Sequence, residues 1–146
     1  MPTHLINWRH NRERLILPTF VLPPAYTVNA SDSARMDGLL DTGATGTGIR
    51  RDLADRLGLM PKGNRRVLTA NGFLMADEFV FRVGFVIGDY RDPGFDPGRE
   101  LPFVLDREIL GFELQAGFPY ALLIGMDIIG GGDLTVRSNG EASFAL

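Results

Sequence analysis

Leu39-Leu40-Asp41-Thr42-Gly43-Ala44 sets an acid, a hydroxyl and a glycine directly on the end of an apolar run. A carboxylate presented at the mouth of a β-structure can take a proton from water or give one to a reacting oxygen. Asp41 is therefore the candidate catalytic residue, with Thr42, Gly43 and Ala44 as support for its loop. A plainer reading makes Asp41 an Asx-turn residue, its side chain bonded to the backbone two residues on. The Asp-Thr-Gly triplet occurs once in the chain, so an acid pair would need a second source.

Other chemistries fit less well. Gly43-Ala44-Thr45-Gly46-Thr47-Gly48 invites a nucleotide reading, but Gly48 is followed by Ile49 rather than by Lys and Ser or Thr. The dinucleotide fingerprint fails as well, because position 51 is Arg51 where a glycine or alanine is needed. With no cysteine there is no thiolate nucleophile, disulfide or cysteine metal site. The two histidines, His4 and His10, both lie in a polar N-terminal stretch, which argues against a Ser-His-Asp triad and a zinc site. Asp127 is the one other acid in a suggestive place, yet an acid in a first helical turn is commonly there for the helix dipole.

Glycine and proline punctuate the chain, and strand-like runs fill the gaps between them. Leu15 to Val21 reads as an opening strand kinked at Pro18 and placed at a sheet edge. Residues 29–33 form a turn by composition, and Arg35 to Leu40 is the strand that ends on Asp41. Ile49, Leu53 and Leu57 recur at helical spacing, and Gly58 is placed to end that helix in the left-handed conformation. Arg51 with Asp55, and Asp52 with Arg56, are expected to pair along it. Thr69-Ala70-Asn71-Gly72 divides two strand-like runs, and its Asn-Gly step is a strong hairpin signal. Phe79 to Ile87 predicts a long strand. Asp92-Pro93-Gly94 and Asp96-Pro97-Gly98 predict a surface loop. Leu101 to Leu105, Ile109 to Leu114 and Ala121 to Ile124 predict further strands. Residues 125–129 suit a single helical turn, and Ser138-Asn139-Gly140 a second hairpin. The fold class is all-β with one or two short helices.

Together, Leu39-Leu40-Asp41-Thr42-Gly43-Ala44, the Asn-Gly hairpin and Leu122-Leu123-Ile124-Gly125-Met126-Asp127 resemble the retropepsin-like aspartic proteases, with Thr-Ala-Asn-Gly and the helix near Leu53 closer to bacterial members. The resemblance implies a retropepsin-like acid-protease β-barrel, with residues 1–14 an N-terminal arm and 15–146 the domain. It implies an aspartic endopeptidase working as a homodimer on a peptide or protein substrate, with no cofactor and no metal. Asp41 of each copy would form the dyad. Thr42 would face inwards and bond across the dimer, while Gly43 and Ala44 would let substrate approach. Thr69, Ala70, Asn71 and Gly72 would be the flap, and Leu123, Ile124 and Gly125 would pack beneath the catalytic loop. The hairpin of residues 134–144 would supply interfacial strands, since chain ends commonly interleave in the family. Where many viral members carry acids, this chain has Thr45 and Gly46. That departure keeps a rival open, a catalytically silent dimerisation or peptide-binding domain on the same fold.

Bulk properties agree with an enzyme-sized domain. A chain of 146 residues can bury a proper core. The net charge of −3 argues against nucleic acid as a partner. Arg9, Arg12 and Arg14 read as solvated charge. No run approaches the roughly 20 apolar residues a membrane helix needs, so no membrane partner and a cytoplasmic location are expected.

Overall fold

Period-two burial is what closes this structure, a computed structural model that describes residues 4–25 and 33–146. In chain order the elements are β1 (Leu5–Arg9), β2 (Leu15–Leu22), β3 (Ala34–Leu40), β4 (Gly48–Arg50), α1 (Arg51–Arg56), β5 (Gly63–Thr69), β6 (Gly72–Phe85), β7 (Gly88–Asp89), β8 (Phe103–Val104), β9 (Ile109–Leu114), β10 (Leu122–Ile124), α2 (Met126–Ile129), β11 (Asp133–Val136) and β12 (Glu141–Ala145). Strands dominate and both helices are short, so the expected all-β class holds. The turn expected at residues 29–33 lies, but for Ser33, outside the described residues. No helix among the described residues is long and apolar enough to cross a membrane.

The larger sheet runs β2-β3-β10-β4-β9-β6-β5, and β2 also pairs with β6, so its first six strands form a closed ring. Alternate residues fill that barrel: Leu17, Thr19 and Val21 from β2, and Phe79, Phe81, Val83 and Phe85 from β6. Where β2 meets β6, from Thr19 to Leu22, closure removes the free edge. The smaller sheet runs β11-β12-β1-β7. Its inner face adds Ile6, Trp8, Ala142 and Phe144 to the same core, and Phe144 meets Phe85 edge to face at 5.8 Å.

Several expectations need correction. The stretch taken as an arm supplies β1, which lies between β12 and β7 and buries Ile6 and Trp8; Arg9, Arg12 and Arg14 are exposed as expected. β2 is one unbroken strand. Its pairing with β6 starts at Thr19, just past Pro18, so only the first half of β2 is an edge. Ile49 belongs to β4, between Leu122 of β10 and Glu113 of β9, and α1 begins only at Arg51. Four-residue spacing alone cannot tell a strand end running into a short helix from a longer helix. Arg51 does pair with Asp55 at 3.0 Å, but Asp52 turns to Arg50 at 2.7 Å instead of Arg56. The expected stop is present. Gly58 has φ +68°, its N–H donates to Asp55 O, and the N–H of Leu59 reaches back to Ala54 O at 2.9 Å. That pattern is a Schellman motif.

Candidate active site

Asp41 emerges where β3 leaves the barrel. β3 and β10 run parallel, Leu40 beside Ile124, and the Asp41 N–H extends that ladder by donating to Ile124 O at 2.9 Å. The chain then turns sharply. Asp41 Oδ1 accepts the Gly43 N–H at 2.8 Å, and the Asp41 carbonyl accepts the Ala44 N–H at 3.2 Å. The Asx turn is therefore real, and it fixes the carboxylate's orientation without burying it; Asp41 is half-buried.

What stiffens the loop from below is the start of α2. The Met126 N–H donates to Ala44 O at 2.8 Å and the Asp127 N–H to Thr45 O at 3.1 Å. Asp127 returns the contact. Its Oδ1 accepts the Thr47 hydroxyl at 2.7 Å and its Oδ2 the Thr47 N–H at 3.1 Å. Thr47 is fully buried, and its Oγ1 in turn accepts the Gly125 N–H at 3.2 Å. Gly125 has no room for a side chain: a Cβ there would lie 2.4 Å from Gly46 O and 3.0 Å from Ala44 O. Thr47 and Asp127 are the site residues that sequence reasoning missed. The buried hydroxyl hid within a glycine-rich run, and Asp127 suggested only a helix dipole. A four-residue helix has little dipole for it to serve, and a carboxylate is well suited to accept two donors from one residue.

The carboxylate looks onto two hollows. A cleft of about 690 Å³ is walled by Asp41, Gly43 and Ala44 below, Leu123 behind, and Val67, Thr69 and Leu74 of the β5–β6 hairpin opposite. A recess of about 350 Å³ lies on the other side, bounded by Asp41, Thr42, Arg12, Arg14 and Val136. Among the expected residues, Asp41, Gly43, Ala44, Thr69 and Leu123 share the cleft. Ile124 is buried beneath the loop beside Gly125. Ala70, Asn71 and Gly72 form the exposed hairpin tip and are not part of the cleft wall. Thr42 is exposed in the single chain and borders the recess beside Asp41.

At the hairpin tip Thr69 pairs with Gly72, and the Thr69 hydroxyl donates to Gly72 O at 2.8 Å while accepting the Asn71 N–H at 3.2 Å. Gly72 carries the positive φ, +103°, and Asn71 does not. At the far end of the cleft Glu113 pairs with Arg51 at 3.0 Å, and Arg51 also holds Asp55 and Asp77. Hydrogen bonds to Glu113 first, and then to Asp55, raise the guanidinium above its ordinary range. Among the described residues no three His, Cys, Asp or Glu side chains gather as a metal-binding group.

The profile of one protein family, described as Aspartyl protease, matches residues 26–128, more than half of the chain and a span that includes both Asp41 and Asp127. The chain belongs to the aspartyl protease family. No curated protein sequence matches it. Among solved structures, that of a retropepsin-like aspartic protease from Rickettsia conorii is similar with a TM-score of 0.64 at 21% identity, over 99% of this chain and 92% of that one. At that identity the likeness is one of fold. The family assignment gives the chain a protease-type, hydrolytic function and a retropepsin-like barrel. It also gives the loop–helix contact a context: the matched span runs from just before β3 to Ile128 in α2, so the aspartate and the segment that braces it belong to one family unit.

Proposed function

We propose that the chain is an aspartic endopeptidase whose catalytic pair is Asp41 from each of two copies. The observation that carries this is a single half-exposed carboxylate, oriented by its own turn, at the wall of a cleft of about 690 Å³ and in a family of aspartyl proteases. Two carboxylates brought face to face resist ionising together and hold one proton between them. The ionised member takes a proton from water as the water oxygen bonds to the scissile carbonyl carbon. The protonated member gives its proton to the carbonyl oxygen, so the two acids exchange roles. In the second step the newly protonated acid donates to the amide nitrogen, the C–N bond breaks, and the other acid takes a hydroxyl proton as the carbonyl reforms.

The rest of the chain serves this chemistry by position. Gly43 and Ala44 keep side chains out of the path of the substrate backbone. The β5–β6 hairpin acts as a flap that excludes water and lends backbone hydrogen bonds to an extended substrate. Thr42, exposed toward the recess, bonds to its counterpart on the second copy. Asp127 and Thr47 keep the loop from relaxing as charge moves.

The test is Asp41→Asn. The variant is expected to keep the fold and the dimer while losing all cleavage of an unfolded protein substrate. Cleavage at an unchanged rate in that variant would refute the assignment. A wild-type protein that dimerises but cleaves nothing, and ignores a statyl-type transition-state mimic, would make the fold a silent binding module.

A further inference from the structure

We infer that the substrate cleft carries a cationic subsite beside Gly46, in which Arg65 and Arg66 select an acidic side chain of the peptide. The inference rests on the peptidase reading above and adds the chemical character of the substrate to it.

A hollow of about 460 Å³ opens off the main cleft, between the catalytic loop and β5. The two share Gly43, Ala44, Val67, Leu68 and Phe112, so a peptide lying in the cleft can place a side chain in the hollow. The charged residues of its lining are Arg65 and Arg66, and no carboxylate lines it.

Arg65 is held in place with one nitrogen left over. Its Nε donates to Glu78 Oε2 at 2.7 Å and its Nη2 to Leu110 O at 2.8 Å. The guanidinium lies over the Phe112 ring, 5.7 Å from its centroid. Nη1 has no hydrogen-bond partner among the described residues. A Cβ on Gly46 would lie 3.0 Å from it, so the missing side chain is what leaves this donor open to the hollow. Gly46 has no positive φ; the space, not the backbone conformation, calls for glycine there. A planar fork fixed before the substrate arrives is suited to a carboxylate.

Charge decides between an acid and a neutral acceptor. Glu78 offsets the charge of Arg65. Arg66 has no carboxylate partner among the described residues; it is exposed and stacks on Phe73, 4.4 Å from the ring centroid. Arg65 therefore supplies the directed donor and Arg66 the net positive charge. The far end of the cleft has the opposite sign, since Asp55, Asp77 and Glu113 surround Arg51. A substrate acid is drawn to the hollow and repelled from that end. With Asp41 drawn from two copies, each copy brings one such hollow. Acids are then favoured on both sides of the scissile bond, at positions related by the twofold axis.

The test uses decapeptides with a single Glu walked along a neutral sequence, each matched by its Gln counterpart. Binding to the Asp41→Asn protein is measured by calorimetry at neutral pH, so the readout does not depend on cleavage. At one or two positions Glu is expected to bind about tenfold tighter than Gln, the scale of one charge-assisted hydrogen bond. Adding Arg65→Gln or Arg66→Gln should bring that ratio close to one. Adding Gly46→Asp, which sets an acid against Nη1 from within the chain, should reverse it. If Arg65→Gln fails to fold, Arg66→Gln and Gly46→Asp still decide. Equal binding of Glu and Gln at every position, no binding of either, or a ratio that survives these substitutions overturns the subsite. Should wild-type protein cleave in an Asp41-dependent way while Glu and Gln peptides bind alike, the subsite falls and the catalytic reading stands. Should Glu-selective binding appear while Asp41→Asn cleaves as fast as wild type, the subsite stands and the catalytic reading falls.

Discussion

Asp41 was legible because its signal is local: acid, hydroxyl and glycine are consecutive, and the turn they make is closed by the acid's own Oδ1 on the Gly43 N–H. Thr47 and Asp127 were not, because their bond joins residues 80 apart in sequence and it takes the antiparallel pairing of β4 with β10, Gly48 beside Leu123, to bring them together. Thr47→Val keeps the shape but removes a buried donor and acceptor, leaving Asp127 Oδ1 and the Gly125 N–H unsatisfied. A loss of about 2 kcal/mol in denaturant-measured stability is expected. Thr47→Ser should recover most of it, and equal losses in both variants would mean that the methyl group, not the hydroxyl, matters. A second prediction concerns acid. Hydrogen bonds donated to its carboxylate by the Arg91 side chain first, and then by the Arg91 backbone N–H, hold Asp89 down to about 2 from 3.8. The folded state therefore binds fewer protons than the unfolded one in that window. The contribution is complete above about pH 4 and is lost as pH falls towards 2. Asp89→Asn should flatten the fall in stability over that range, and an unchanged acid slope would remove Asp89 from the account.

At the scale of elements, alternation and turn chemistry revealed most strands, while junctions and partners were harder to read. Phe73 to Met75 and Phe79 to Ile87 looked like separate runs, yet β6 carries the chain straight through Asp77 and Glu78, which pair with Asn64 and Gly63 of β5. Asp77 precedes, and Glu78 opens, the stretch of β6 that pairs with β9, Glu78 opposite Phe112, so these polar residues sit at the barrel's rim and do not interrupt the strand. The Asn-Gly step correctly marked a hairpin but not which residue takes the left-handed conformation. Because Gly72 alone has positive φ, Gly72→Ala should destabilise the hairpin by about 1–2 kcal/mol, whereas Asn71→Ala should cost far less. Hydrogen exchange of the amides of residues 66–75 would report it; equal effects of the two substitutions would contradict the geometry.

For the whole molecule, two facts were hidden from sequence: β2 closes onto β6, and β1 belongs to the domain. Thr19 and Phe85 are too far apart in sequence for any local pattern to pair them. In Leu5-Ile6-Asn7-Trp8-Arg9 only two core residues show, flanked by His4 and His10, so polar composition masked a strand. The consequence bears on any idea that the first residues are a removable segment. Without β1, β12 and β7 lose their common neighbour, and the face of Phe144 and Ala142 that Ile6 and Trp8 cover opens to water. Each of those two side chains is worth about 2–3 kcal/mol in burial, a large share of the 5–15 kcal/mol by which a domain is stable. Deleting residues 1–9 should therefore abolish cooperative unfolding or lower its midpoint steeply, and the exposed β12 edge should drive aggregation. Ile6→Ala and Trp8→Ala, each leaving the strand's backbone in place, should cost about 2–5 kcal/mol by thermal or chemical denaturation. A truncated protein that melts at the wild-type temperature would show that β1 is dispensable, and the stretch would return to being an arm.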